Sequence, residues 1–400
     1  MTTTQTQGGT WQRRFGDSLM RSLSTPKVML ERGLGCEVWD TDGKRYLDFL
    51  AGIAVNALGH AHPVLVEAIR AQASSLIHVS NYFATAPQLQ LAETLVRITG
   101  AGDRGRVYFG NSGAEANEAA VKLARLNRGD GRRTRILALQ NSFHGRTMGS
   151  LALTGKPALR EPFEPMMPGV EHIDTTIEAL EAAMGDDVAA LFVEPIKGEA
   201  GVVDLPDGFL ARARELATQH GALLVLDEIQ TGIGRTGSWF AFQQLGVTPD
   251  AVTVAKGIAG GVPIGALVTF GDASDLFEAG QHGSTFGGNP LATAAANAVI
   301  GEIEASGLVQ NAVVRGDELR AAITGLQSPL VAEVRGLGLL VGVGLSQPVA
   351  AEIAARCLEA GLIVNAPNDS SIRLAPPLIV GAAEVAEFTR IFSSVLKGLA

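Results

Sequence analysis

One lysine of this chain stands in unusual company. Residues 252–266 read VTVAKGIAGGVPIGA: an apolar strand pattern, a single ammonium at Lys256, then a loop so rich in glycine that it shields little. A buried ammonium without a partner is costly, and only seven of the 32 basic residues are lysines. A structural lysine would snorkel to water. Held in a crowded apolar crevice, a lysine loses basicity and becomes a nucleophile that forms a Schiff base with a carbonyl compound.

Three other stretches carry residues of chemical interest. In YFGNSGAEANEAAVKLA a strand pattern ends at Gly110 and a helix begins near Ala114, with Ser112 and Glu115 in capping-box spacing. Gly113 lets a ligand approach the backbone, and the free N–H groups of a helix start attract an anion. The same residues read equally as an ordinary capped helix. In ALLVLDEIQTGIGRTG, Asp227 and Glu228 lie at a strand end. The run G-I-G-R-T-G (232–237) satisfies the dinucleotide spacing, yet four residues separate it from the strand and no helix pattern opens at its glycines. It therefore reads as a glycine-rich loop, with a nicotinamide-dependent oxidoreductase as the competing function. In QNSFHGRTMGSLALTG, Phe143 reads alone as core, His144 as a hydrogen-bonded structural histidine and Arg146 as a solvated arginine.

The elements that must position these groups alternate along the chain. Short, nearly continuous apolar runs (RVYFG, RILAL, AALFVEP, ALLVLDE, DAVTVAK) are separated by helical patterns. That alternation predicts an α/β fold with a mostly parallel central sheet covered by helices on both faces. In such a sheet, ligands bind at the carboxyl ends of the strands. After Pro290 the pattern changes to a long Ala-rich helix and shorter mixed elements. The predicted division is a flexible arm over 1–15, an N-terminal segment over 16–60 that packs with the small domain, a large domain over 61–290, and a linking helix with a small C-terminal α/β domain over 291–400.

Composition bounds the rest. Four hundred residues with 46% hydrophobic and 5% aromatic content suit an enzyme with sizeable cores, and a net charge of −9 argues against nucleic acid. Two cysteines, Cys36 and Cys357, form neither metal-ligand spacing nor a disulfide framework, so a reducing, cytoplasmic setting and no metal are expected. No signal-peptide pattern or membrane span is predicted.

Together the four stretches describe one ligand: a phosphate, a flat ring, a ring nitrogen that needs a carboxylate, and a carbonyl that captures a lysine. That is pyridoxal 5′-phosphate. The motifs NSGAEANEAAVKLAR, FHGRT, VEPIKGEAGV, LDEIQTGIGRTG, AKGIAGGVPIGA and HGSTFGGNP make the chain resemble a class III (ω-amino acid) aminotransferase of PLP fold type I, and the resemblance extends from residue 46 to 378. Within that class it is most similar to the enzymes that act on N-acetylornithine in arginine biosynthesis.

The resemblance implies a role for each matching position. Lys256 would hold PLP as a Schiff base and later move the proton. Asp227 would pair with the ring nitrogen, Gln230 with the phenolic oxygen, and Phe143 and Ile229 would cover the two ring faces. Ser112, Gly113 and Ala114 would hold the phosphate. Thr285 would complete the phosphate site of a neighbouring subunit, which implies an obligate homodimer. Ser284 would sit close to substrate. Arg146 would bind a substrate carboxylate, and Glu199 with Arg373 would form a switch that accommodates two substrates in turn. The implied reaction is ping-pong, from N-acetylornithine to 2-oxoglutarate, giving glutamate. Ornithine, 4-aminobutyrate and succinyldiaminopimelate are the alternative donors. Ile53 stands where ornithine-specific relatives carry a tyrosine, which favours an acylated α-amino group without excluding 4-aminobutyrate.

Overall fold

The protein was analysed as a computed structural model, which describes residues 8–399. A helix, Gly8–Ser18, opens the chain, with Trp11 and Phe15 half-buried one turn apart. Residues 8–15 of the predicted arm thus enter a helix, and residues 1–7 lie outside the described residues. Strands β1 (Leu30–Leu34), β2 (Glu37–Asp40) and β3 (Arg45–Asp48) follow as an antiparallel meander.

The largest sheet contains β4 (Arg106–Gly110), β5 (Arg135–Leu139), β6 (Val170–Ile173) and β7 (Val188–Val193). Beyond a small hairpin of β8 (Ile196–Lys197) and β9 (Val203–Asp204), it continues with β10 (Leu223–Asp227), β11 (Ala251–Val254) and β12 (Gly265–Thr269). Its order is β4-β12-β11-β10-β7-β5-β6. Strands β6, β5, β7, β10 and β11 run parallel, and β12 is antiparallel to both of its neighbours. Every residue of β7, β10, β11 and β12 is buried. Helices cover both faces, so these strands read as unbroken apolar runs. Burying each Val or Leu contributes about 1.5–3 kcal/mol.

The helix Gly113–Leu126 shows how local sequence sets packing. Ala116, Ala119, Ala120, Leu123 and Ala124 recur at helical spacing and are buried, so small side chains let the helix lie close to the sheet. Ser112 caps it, its hydroxyl accepting from Glu115 N at 3.2 Å. The return half of the predicted capping box is displaced by one residue: the Glu115 carboxylate accepts from Asn111 N at 2.6 Å. Asn289 caps the linking helix Pro290–Ala305 through Ala292 N, with proline at its first position.

The C-terminal elements form an antiparallel sheet from β13 (Val331–Leu337), β14 (Leu340–Leu345), β16 (Asn365–Asn368) and β17 (Ser371–Leu374), in the order β13-β14-β17-β16. The short β15 (Leu362–Ile363) instead joins the N-terminal meander, parallel to β3. The N-terminal strands therefore pack with the C-terminal elements. Among the described residues no helix is long and apolar enough to cross a membrane.

Candidate active site

The carboxyl ends of β7, β10 and β11, with the loop after β5, converge on one cavity of about 380 Å³. Asp227 is the last residue of β10, Glu194 follows β7, and Lys256 comes two residues after β11. Ser112, Gly113 and Ala114 reach the cavity from the start of their helix, and Phe143 and Arg146 from the loop after β5. Ile229, Gln230 and Glu199 complete the ten sequence-derived positions that line it. Arg373, nearly fully buried on β17, stands behind Glu199 and Gln230. Two positions stay outside. Ser284 accepts from Asn111 Nδ2 and Gly287 N, both at 3.0 Å, and Thr285 is exposed.

Asp227 is held from behind. Its Oδ2 accepts from His144 Nδ1 at 2.7 Å and from Asn117 Nδ2 at 2.8 Å, and its Oδ1 accepts from Ile229 N at 3.1 Å. Asn117 also donates to the His144 carbonyl at 2.7 Å. Burial alone would depress the His144 imidazole, but the bond to Asp227 and the charges of Asp227 and Glu194 outweigh it and raise its pKa. Glu194 accepts from Phe143 N at 2.8 Å, which fixes the start of the loop carrying Arg146, and burial pushes its pKa up to about 7. Asn117, His144 and Glu194 were not assigned site roles from the sequence. The available signals were an asparagine within an alanine-lined helix face and an acid directly after an apolar strand. Glu228, adjacent to Asp227, points the other way, as alternation along an extended chain requires. It accepts from Thr231, Ala241 N and Phe242 N and does not reach the cavity.

Lys256 has a left-handed backbone, φ +46°, a conformation that costs a non-glycine residue about 1–2 kcal/mol and is found where function requires it. Burial, and after it the Arg373 charge, pushes its amine below the usual lysine range. Of the glycines expected to clear space, Gly257 is not crowded, whereas Gly265 is: a Cβ there would lie 2.1 Å from the Ser112 carbonyl. A Cβ on Gly113 would meet Ile229 at 2.7 Å. The phosphate loop can thus lie flat against β12 only with glycine at 265, whereas a Cβ at 113 would require the Ile229 side chain to shift. The Arg146 guanidinium, exposed at the cavity mouth, sits 5.6 Å above the Phe143 ring. Arg373 bonds to Glu199 and donates to Gln230 Oε1 at 3.1 Å and Asn365 Oδ1 at 2.7 Å. Oε1 so engaged leaves the Gln230 amide N–H groups as its remaining donors, and Gln230 lines the cavity. Burial would raise the Glu199 pKa, but the charge and hydrogen bond of Arg373 bring it below the ordinary glutamate value.

The loop 232–237 is not a dinucleotide site. Its residues are almost all buried, and the Arg235 guanidinium donates to the Leu339 and Pro376 carbonyls, tying the loop to the C-terminal sheet. The family Aminotransferase class-III matches residues 20–396. The chain belongs to the class III aminotransferases. It is 50% identical over 397 residues to the acetylornithine aminotransferase of Mycobacterium leprae, covering 99% of this chain and 97% of that one. The solved N-acetylornithine aminotransferase of Stenotrophomonas maltophilia superposes with a TM-score of 0.84 at 37% identity, covering 96% of this chain and 98% of that one. The ornithine aminotransferase of Toxoplasma gondii superposes with a TM-score of 0.93 at 31% identity, covering 99% and 96%. Class III aminotransferases are PLP-dependent, and the donor set here fits that cofactor. An open helix start faces a loop with no room for a Cβ, a carboxylate is anchored at the cavity wall, and a lysine of lowered basicity shares the same space.

Proposed function

We propose that this aminotransferase moves the δ-amino group of N2-acetyl-L-ornithine to 2-oxoglutarate, releasing N-acetyl-L-glutamate 5-semialdehyde and L-glutamate. The observation that carries this reading is the unequal state of the two arginines. Arg146 is exposed at the cavity mouth, while Arg373 is buried and masked by Glu199. A donor with one carboxylate needs Arg146 alone, whereas 2-oxoglutarate needs a second guanidinium when Glu199 leaves. The relatives described above, acetylornithine aminotransferases among them, agree with this choice, and Ile53 offers no hydroxyl to a free α-amino group.

Lys256 would hold the cofactor covalently through its amine, whose basicity burial lowers. The same amine would serve as the base that takes and returns the proton of the substrate carbon. Bound here, pyridoxal phosphate supplies an electrophilic carbon for the amine and a ring that withdraws the electron pair freed at the substrate carbon. Asp227, on the cavity wall, would pair with the ring nitrogen and keep it protonated. The N–H groups at Gly113 and Ala114 and the Ser112 hydroxyl hold the phosphate. Phe143 and Ile229 cover the ring and exclude water.

The same reading treats 61–290 as the cofactor domain, 291–400 with 16–60 as the small domain, and the enzyme as a cytoplasmic homodimer. Thr285 is exposed and does not line its own cavity, and large apolar side chains near it are exposed: Tyr82 at 89%, Phe83 at 67% and Phe286 at 61%. The His78 ring lies 5.1 Å from that of Phe286, so the two segments share one face. Such a face suits a partner subunit. The deciding experiment is a donor panel with 2-oxoglutarate. Acetylornithine should give the highest kcat/KM, and a clear preference for ornithine, 4-aminobutyrate or succinyldiaminopimelate would replace it as the substrate.

A further inference from the structure

Glu199 lies on a wall between two cavities. One is the active site. The other, of about 590 Å³, lies behind the loop and is lined by Lys156, Lys197, Asp174, Thr175 and Asn368 among others. The backbone around Glu199 is braced from both sides. Lys156 Nζ donates to the Glu199 carbonyl at 2.6 Å, Asn368 Nδ2 to that of Ala200 at 2.8 Å, and Arg335 to those of Gly201 and Val202 at 2.8 Å each. Release of Arg373 is therefore a matter of the Glu199 side chain alone.

Separating a buried ion pair leaves two charges in need of partners. A substrate carboxylate satisfies Arg373, whose side chain is 1% exposed, but the Glu199 carboxylate, 24% exposed, needs a cation elsewhere. Lys156 meets that need. A carbonyl oxygen lies about 2.4 Å from its own Cα, so the Lys156 ammonium is within about 5 Å of the Glu199 Cα, in reach of another staggered rotamer. Lys197 is already engaged by the Gln140 carbonyl and Thr175. Asp174 and Asp204 also line this cavity, and their negative charge repels an entering carboxylate, a repulsion that Lys156 would offset.

We propose that Lys156 is the second partner of Glu199: when a substrate carboxylate takes Arg373, the glutamate side chain turns into the polar cavity behind its own loop and pairs with Lys156. This rests on the switch reading given under Proposed function. It makes Lys156 a positioning residue for the oxo-acid half of the reaction, because without it Glu199 stays on Arg373.

The test uses the PLP-loaded protein and glutarate, a dicarboxylate that cannot react, with binding measured by calorimetry beside single-turnover rates of each half-reaction. Lys156→Met should weaken glutarate and lower kcat/KM for 2-oxoglutarate by about tenfold, while the acetylornithine half-reaction changes by less than about twofold. Lys156→Arg should restore both. In a Glu199→Gln background the loss should vanish, since a neutral amide needs no cation. Lys156→Gln, which retains a donor for the carbonyl without the charge, should behave as Lys156→Met and serves if the latter folds poorly. Unchanged glutarate affinity, equal damage to both half-reactions, or a loss that persists beside Glu199→Gln would overturn the proposal and leave Lys156 as a brace for the loop. If Arg373→Ala binds glutarate as tightly as the wild type, the switch reading fails and this proposal fails with it.

Discussion

Replacing Asp227 by asparagine removes one charge at nearly constant shape, and the structure dictates which way the amide must face. Oδ2 receives two donors, from His144 and Asn117, so the amide oxygen has to occupy that position. The NH2 group then takes the place of Oδ1, opposite Ile229 N–H at 3.1 Å and toward the cavity. A donor there cannot hold a proton on the ring nitrogen of the cofactor. The donor–donor approach costs about 1–3 kcal/mol of stability, which a folded domain tolerates. Loss of a preorganised charge at the reacting centre costs about 3–4 kcal/mol of transition-state stabilisation, roughly 10²–10³ in rate. Single-turnover measurements should show both half-reactions slowed by that factor, with cofactor retained through its phosphate and a melting temperature within a few degrees of wild type. A variant with full cofactor occupancy that kept more than about a tenth of the wild-type rate in either half-reaction would refute the assignment of Asp227.

Gly265→Ala should displace the phosphate loop, because the new Cβ would lie 2.1 Å from the Ser112 carbonyl; cofactor retention on dialysis should fall by at least about tenfold, and retention equal to wild type would contradict the cradle described here. Borohydride reduction of the PLP-loaded protein should fix the cofactor on a peptide containing Lys256, and recovery on Lys122 or Lys197 instead would displace Lys256 from its role. His172 gives a pH prediction away from the site. Burial foremost pushes its pKa down to about 4, so its contribution to stability is present above the unfolded value of 6.5 and is lost as pH falls toward 4. The gap corresponds to about 3 kcal/mol, reduced to about 2 by solvent screening at a half-buried ring. His172→Gln should flatten the acid limb of the stability profile between about pH 6.5 and 4 by that amount, and an unchanged limb in urea titrations would show that other groups carry it.

Much of the candidate site was legible because its residues lie at points where a local pattern breaks. An apolar run ended by charge marked Lys256 and the pair Asp227 and Glu228, and alternation of such runs with helical patterns gave the mostly parallel sheet whose strand ends hold them. Ser112 was legible as a cap because the three-residue spacing to Glu115 is a local signal, even though Glu115 turned its carboxylate to Asn111 instead. The residues that only tertiary structure brought in act across long stretches of chain. Asn117 and His144 reach Asp227 over 110 and 83 positions, and no periodicity within one element reports on a partner in another. Direction was undecidable too: Asp227 and Glu228 are neighbours of the same type, and the pleat at the end of β10 alone sends one to the cavity and the other to the start of the helix Ala241–Gln244. The pairing of β3 with β15 and the burial of Arg373, a residue the resemblance had named, likewise depend on contacts between distant segments. Sequence determines which side chains are available and which local elements they favour, whereas packing decides which of them share a dielectric, a charge and a cavity.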